Sequence, residues 1–133
     1  MAIQLGVLTR NRRLDSIEVE LGASAVLTLW SATIPANCAA ANAGTKLAEI
    51  ILPSDWMNVA SGGTKTMLGT WSDISADAGG TAQHFRINKT GAGTCEMQGT
   101  VGAGSGDLQL DNNVLVAGQT VNITAFTWTD GNA

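Results

Sequence analysis

One change in the hydrophobic pattern, at Gly22, constrains the fold of this chain more than any other feature of its sequence. Before Gly22, apolar and long side chains recur every three or four residues, which is the spacing of one helical face. After Gly22, apolar residues occur in short runs that alternate with polar residues or stop at turn-forming residues. The pattern therefore predicts one N-terminal helix followed by a domain of short strands.

The residues at both ends of the helical segment support this prediction. Gly22 follows the last apolar position, where a helix would stop. Thr9 or Asn11 is the expected cap at its start. The helical stripe consists of Val7, Arg10, Leu14, Ile17 and Leu21.

The β region contains seven or eight short strands at intervals of about 8 to 12 residues, which is typical of a β-sandwich or jelly roll. The clearest signal is a hairpin over 82–101 with a glycine turn at 90–93. Its alternation places Cys95 on the same face as Ile87. The strands are predicted at 25–30, 47–52, 64–71, 82–87, 94–101, 108–110, 114–116 and 121–128.

We therefore expect an all-β, single-domain protein over residues 1–133, with a jelly-roll-like β-sandwich at 23–133 and a helical arm at 1–22. A parallel α/β fold would need helices between its strands, and the pattern predicts none there. In the last strand, alternation places Phe126 on the face opposite Val121 and Ile123.

Charge is divided unevenly between the start of the chain and its body. Seven Lys and Arg residues stand against eleven Asp and Glu residues, a net charge of −4, yet residues 1–13 carry three arginines and no acid. An acidic body argues against nucleic-acid binding, which needs clustered cations. No apolar run approaches the ~20 residues that span a membrane, and the N-terminus lacks the features of a secretory signal. We expect a soluble protein, made in the cytoplasm, that binds neither nucleic acid nor membrane.

Residue types that commonly carry chemistry are sparse. His84 is the only histidine, so a structural role on a polar strand face is favoured over a metal site. Cys38 and Cys95 match no zinc or redox spacing, which favours free buried thiols, with a disulfide only in a protein that works outside a reducing cell. No nucleophile elbow or phosphate-binding glycine loop is present. We predict no catalytic residue, metal or cofactor, and turn-capping roles for Asp73, Asp77, Asp107 and Asp111.

Three arginines in the predicted helix, Arg10, Arg12 and Arg13, lie at the end where the helix dipole disfavours positive charge. Helix stability therefore does not explain them. A solvated helix face is the simpler interpretation, and contact with an acidic neighbouring subunit is the alternative.

The four tryptophans allow two interpretations, interface anchors or a platform for stacking sugars. Trp56 follows Pro53 in a predicted loop and is the expected interface residue. Trp30 and Trp128 fall in predicted strands, where packing is favoured.

Five segments in order along the chain resemble the small Ala-, Gly- and Thr-rich virion proteins of tailed bacteriophages. No single motif is diagnostic, and the resemblance depends on their order over nearly the whole chain. The segments are RNRRLDSI at 10–17, GASAVLTLW at 22–30 followed by IPA at 34–36, TAQHFRI at 81–87, QGTVG at 98–102 and FTWTDGNA at 126–133.

This resemblance implies a capsid cement or decoration protein, a jelly-roll-like β-sandwich on the capsid surface that stabilises the head and is not an enzyme. Its partners would be the major capsid protein and copies of itself, as a dimer or trimer. Arg10, Arg12 and Arg13 would meet acidic groups on the shell, and Trp56 would fill an apolar pocket there. A tail or neck component of the virion is one alternative, and a carbohydrate-binding β-sandwich module is an alternative of another class.

Overall fold

Strands form most of the regular structure in the computed structural model, which describes residues 3–90 and 93–131. Helix α1 spans Val7–Leu21, and ten strands follow it among the described residues. This confirms the predicted mostly-β chain with one N-terminal helix. None of the described helical structure is both long and apolar enough to span a membrane. The strands are β1 (Val26–Trp30), β2 (Lys46–Ile51), β3 (Thr64–Thr66), β4 (Ser72–Asp73), β5 (Gly80–Thr81), β6 (His84–Asn88), β7 (Cys95–Ala103), β8 (Leu108–Leu110), β9 (Val114–Leu115) and β10 (Val121–Thr129).

Eight of the strands form one curled sheet in the order β2-β1-β6-β7-β8-β10-β3, with β4 also paired to β10. The backbone N–H of Glu49 in β2 donates to Asp73 Oδ2 in β4 at 3.3 Å. Just after β4, the N–H of Asp77 donates to the carbonyl oxygen of Leu47 at 2.8 Å. These bonds bring β2 and β4 together although they belong to distant parts of the strand order. β5 and β9 form a separate two-stranded pair.

The core is built from the apolar side chains of β1, β2, β6, β8 and β10, with Leu21 from the end of α1. A chain of aromatic rings runs through it. Trp56 lies 6.0 Å from Trp71, which lies 5.6 Å from Phe126. Phe126 meets Phe85 edge-on at 5.6 Å, a favourable arrangement for the ring quadrupoles.

Two β-bulges reverse faces that simple alternation predicts. In the β6–β7 pair, Met97 pairs with Ile87 but Cys95 pairs with Asn88, so Glu96 is the extra residue. Cys95 therefore does not share the face of Ile87, and that prediction is wrong. In β10 the register shifts between Ile123 and Ala125, and Phe126 joins Ile123 in the core instead of facing away from it.

A tight coil of chain joins β7 to β8, which are parallel despite having no helix between them. Parallel neighbours normally need a crossover of a dozen or more residues. Here Asp107 Oδ2 accepts bonds from the N–H and the hydroxyl of Thr100, each at 2.9 Å. A Cβ on Gly102 would lie 2.7 Å from the Ser105 carbonyl oxygen, so the coil requires glycine at this position.

The start of α1 differs from the prediction. Gly6 is the N-cap and makes no side-chain hydrogen bond, so neither Thr9 nor Asn11 caps the helix. Asn11 Oδ1 instead accepts the N–H of Gly63 at 2.8 Å and ties α1 to the segment before β3. The predicted hairpin turn at 90–93 includes Gly91 and Ala92, which lie outside the described residues.

Candidate functional site

A buried cluster of charges fixes α1 against the sheet. Lys65 of β3 is 2% exposed, and its Nζ donates to Asp15 Oδ1 at 2.7 Å and to Glu18 Oε2 at 2.9 Å. The hydrogen bond from Lys65 lowers the pKa of Asp15. Burial opposes the charged form of Lys65, but its bonds to the two carboxylates outweigh burial and raise its pKa. The helix is therefore a fixed part of the domain and not a free arm.

The three N-terminal arginines have different surroundings. Arg10 Nη1 donates to the carbonyl oxygen of Asp130 at 3.4 Å, and Arg13 Nε pairs with the nearly buried carboxylate of Asp130 at 3.2 Å. Arg12 is exposed and makes no hydrogen bond or ion pair with another described residue. Arg10 and Arg13 thus join α1 to the end of β10, and Arg12 leaves its charge in solvent.

The outward side of α1 exposes large apolar side chains, which a helix face that only meets solvent does not require. Leu8 is 74% exposed and Val19 is 81% exposed, with Arg12 between them at helical spacing. We call Leu8, Arg12 and Val19 the outer helix face. The opposite face holds Leu14 and Leu21, which are buried, so the predicted stripe is confirmed in its apolar core positions.

Trp56 has the reverse of its predicted role. Trp56 is fully buried, and its Nε1 donates to the carbonyl oxygen of Gly22 at 3.1 Å. It therefore cannot fill a pocket on a partner, and the prediction of an interface role is wrong. Trp71 is also buried, whereas Trp30 and Trp128 are half-buried at the surface. With Trp56 and Trp71 in the core, only Trp30 and Trp128 have ring surface that a ligand could reach.

Cys38 and Cys95 form a disulfide with 5.2 Å between their Cα atoms, so the prediction of free thiols is wrong. The bulge at Glu96 turns Cys95 to the outer side of the sheet, where it meets the segment between β1 and β2. We call this segment, residues 31–45, the strap. The disulfide fastens its middle to the start of β7.

Polar side chains of β6 and β7 hold the rest of the strap. His84 Nδ1 lies 2.6 Å from the Ala32 carbonyl oxygen, and Gln98 Nε2 donates to the Pro35 carbonyl oxygen at 2.8 Å. Arg86 also binds the strap, through Asn37 and Asn42. The strap therefore covers part of the outer face of the sheet, over β6 and β7.

Arg86 is a buried cation that is held by neutral groups alone. It is 3% exposed and donates to Gln98 Oε1 at 3.2 Å, Asn42 Oδ1 at 2.8 Å and the Asn37 carbonyl oxygen at 3.3 Å. No carboxylate of the described residues lies within ion-pair distance of it. Burying a charge without a counter-charge is costly, so this position is unusual in a structural role.

His84 is fully buried and stacks with Trp30 of the neighbouring strand, with 10° between the ring planes. Burial lowers the pKa of His84, and the nearby charge of Arg86 lowers it further, against the raising effect of the Ala32 carbonyl. Nδ1 therefore carries the proton of a neutral ring, and Nε2 has no partner among the described residues. The predicted structural role is consistent with these contacts.

Two adjoining cavities open on the outer face of the sheet, beside the strap. The first, of about 440 Å³, is lined by residues that include Thr28, Trp30, Lys46, Glu49 and Lys89. The second, of about 480 Å³, lies against the disulfide and Arg86. Asn42 and Asn88 line both, and we call the joined space the polar cleft.

Two of the four loop carboxylates, Asp73 and Asp111, cap local turns as predicted, whereas the Asp107 carboxylate bonds Thr100 and that of Asp77 lies near Lys46. Asp73 Oδ1 accepts the N–H of Ser75, and Asp111 Oδ1 accepts the N–H of Asn112. Within residues 3–90 and 93–131, no three His, Cys, Asp or Glu side chains are grouped so as to hold a metal ion.

Sequence reasoning missed Lys65, the disulfide and the polar cleft. Arg86 pairs with Gln98 across the hairpin, so their side chains share one face of the sheet. The strap that covers these side chains comes from 44 to 63 residues earlier in the chain, so no local pattern indicates it. The asparagines of the strap are the one sequence feature that could have indicated a buried arginine, because a buried arginine needs several hydrogen-bond acceptors and Asn37 and Asn42 supply two of them.

Searches with this chain find no matching family model, no similar curated protein and no similar solved structure.

Proposed function

We propose that this chain is a structural protein of a bacteriophage virion, a decoration protein that binds the outside of the major capsid protein lattice and stabilises the head. Its β region is proposed to be a jelly-roll-like sandwich, and its role to be binding without catalysis. The location in a virion is proposed because five segments, in order along the chain, resemble virion proteins of tailed bacteriophages. The binding surface is proposed from the outer helix face.

The outer helix face is the observation that carries the proposal. Leu8 and Val19 leave most of their surface in solvent on a helix that Lys65 fixes to the sheet. A rigid helix loses little conformational freedom when it docks, so more of the contact energy appears as affinity. Arg12 adds an unpaired positive charge that suits an acidic partner.

A disulfide is also in keeping with a virion protein, because such bonds persist in proteins that work outside the reducing interior of a cell. Under this proposal the chain is made in the host cytoplasm and the bond forms after the particle leaves it.

The test uses capsids of the encoding phage assembled without this protein, to which the purified chain is added. A variant with Leu8→Ser and Val19→Ser is expected to lose most of its occupancy on the particles, read from the bound fraction after sedimentation. Arg12→Gln is expected to weaken binding at low salt and to reduce its salt dependence.

Ile74→Ser is the matched control, because Ile74 is 83% exposed but lies away from α1. Equal binding of the double variant and the wild type would place the interface elsewhere. Failure of the wild type to bind any capsid would overturn the proposal.

A tail or neck component of the virion is the second candidate, since the same chemistry suits any protein lattice. Copy number separates the two. Hundreds of copies per particle indicate a shell protein, whereas about six or twelve indicate a ring in the neck or tail.

A further inference from the structure

We propose that the polar cleft binds an acidic saccharide, a sugar chain whose rings carry carboxylate groups. The proposal depends on the cleft alone and holds whether or not the chain decorates a capsid. Three features of the cleft support it, namely an aromatic ring, free amide groups and a buried cation that lacks a counter-charge.

Trp30 provides a fixed aromatic surface. Its Nε1 donates to Thr28 Oγ1 at 2.9 Å, and its ring lies nearly parallel to that of His84. The ring is half-buried and lines the first cavity. A tryptophan whose polar atom is already satisfied offers apolar ring surface, which packs well against the C–H face of a sugar.

Asn42 and Asn88 provide hydrogen-bonding groups between the two cavities. Because Asn42 Oδ1 accepts from Arg86, its amide NH₂ is directed elsewhere and makes no bond with other described residues. The Asn88 side chain likewise makes none within the described part of the chain. Cavities of 440 and 480 Å³ are within the usual size of small-ligand sites, which combine apolar walls with a few polar groups.

The charge of the cleft is opposite in sign to that of the whole chain. Lys46, Lys89 and Arg86 line it against one carboxylate, Glu49, although the chain has a net charge of −4. Lys46 pairs with Glu49 at 2.8 Å and lies 4.0 Å from Asp77, and Lys89 pairs with Glu20 at 3.0 Å. Arg86 is the one cation of the lining with no acidic partner among the described residues. A carboxylate on the ligand would supply the missing negative charge near Arg86.

The binding experiment is calorimetric titration of the purified, oxidised chain with three probes: trigalacturonate, neutral maltotriose and inorganic phosphate. Trigalacturonate is expected to bind at least about tenfold more tightly than either of the others, a difference of about 1.4 kcal/mol. Its affinity is expected to fall as salt is raised. Equal affinity for maltotriose would overturn the acidic part of the proposal, and equal affinity for phosphate would reduce the site to an anion site. No binding of any probe would overturn it entirely.

Matched variants locate the site. Trp30→Ala is expected to weaken trigalacturonate binding at least about tenfold, whereas Trp128→Ala, which removes another half-buried tryptophan, leaves it unchanged. Lys46→Gln is expected to weaken binding and Arg12→Gln to leave it unchanged. Equal losses in both members of either pair would overturn the assignment to the cleft.

Two measurements keep the result interpretable. Circular dichroism establishes that each variant is folded, and where Trp30→Ala is not, Asn88→Ala takes its place because Asn88 is not part of the core. Capsid binding is measured separately with the same proteins, so failure of the saccharide proposal and failure of the decoration proposal are distinguishable.

Discussion

His84 shows how the chemistry of one residue is set by its neighbours. The ring is buried, donates from Nδ1 to the Ala32 carbonyl oxygen and leaves Nε2 without a partner among the described residues. Protonation would add a second N–H and a positive charge in a position that already lies near Arg86. The folded protein therefore favours the neutral imidazole.

This predicts that stability falls as the pH drops below about 6.5, the ordinary pKa of histidine. In that range the unfolded chain takes up a proton that the folded chain resists, so the free energy of unfolding decreases with decreasing pH. Urea denaturation at a series of pH values between 8 and 5, roughly, measures the slope. His84→Gln, whose amide can still donate to Ala32, is expected to flatten it.

An NMR titration of the imidazole tests the same prediction without a variant. Ring signals that remain those of the neutral form below pH 6.5 agree with it, whereas titration at the ordinary pKa contradicts it. Asp15 does not affect the slope of the urea series, because the stability that its lowered pKa contributes is present above its ordinary value of 3.8 and is lost only as the pH falls below that value.

For single residues, the sequence predicted the roles of polar side chains better than it predicted which side chains are buried. It identified His84 as structural and Asp73 and Asp111 as turn caps, because both follow from local context. It misplaced Trp56, because position after Pro53 suggested an exposed loop, and only the three-dimensional packing against Trp71 and Gly22 buries it.

The strap has no regular secondary structure of its own, and side chains of β6 and β7 and a disulfide hold it in place. It has no strand or helix of its own between β1 and β2, and its carbonyl groups are held by side chains of β6 and β7. The Cys38–Cys95 bond adds a covalent attachment that closes a long loop, with 57 positions between its ends.

Removing that bond is expected to destabilise the protein and release the strap. In the chain-entropy model a loop of this length contributes up to about 4 kcal/mol. The double variant Cys38→Ser, Cys95→Ser is expected to show a lower urea midpoint and faster amide exchange in the strap, with β1 and β6 still protected. Reductant should lower the midpoint of the wild type and leave the double variant unchanged; a wild-type midpoint that ignores reductant contradicts the prediction.

Long strands were predictable as elements, and bulges were not. β1, β2, β6, β7, β8 and β10 lie where alternation predicts them, whereas β4 and β5 are two-residue strands too short to give a pattern. A β-bulge adds one extra residue to one strand of a pair, and the alternation of apolar and polar residues does not show where that residue is. The shift at Glu96 turns Cys95 toward its disulfide partner, and the shift at Thr124 turns Phe126 into the core.

For the whole molecule, surface area shows that one chain encloses its own core. The accessible area is 6758 Å², close to the about 6,600 Å² that is typical of a compact monomer of 13.7 kDa. Partner chains are therefore not needed to bury the aromatic residues. Self-association, which the sequence predicts, would join chains that are already folded.

We expect the thermal midpoint of unfolding to be nearly independent of protein concentration over a roughly hundredfold dilution, even where sedimentation shows dimers or trimers. Differential scanning fluorimetry and sedimentation velocity on the same samples measure both quantities. A midpoint that falls steeply as oligomers dissociate would show that the contacts between chains supply much of the stability.

The contacts of Asp130 have a consequence for how the chain can be re-engineered. Arg10 and Arg13 in the first half of α1 contact Asp130 directly, so that half of the helix and the end of the last strand lie side by side. A short glycine-rich linker between them would permit circular permutation, with new termini opened in the exposed loop between β8 and β9. The bonds of Asp130 to α1 would then hold the joined segments together in the permuted chain.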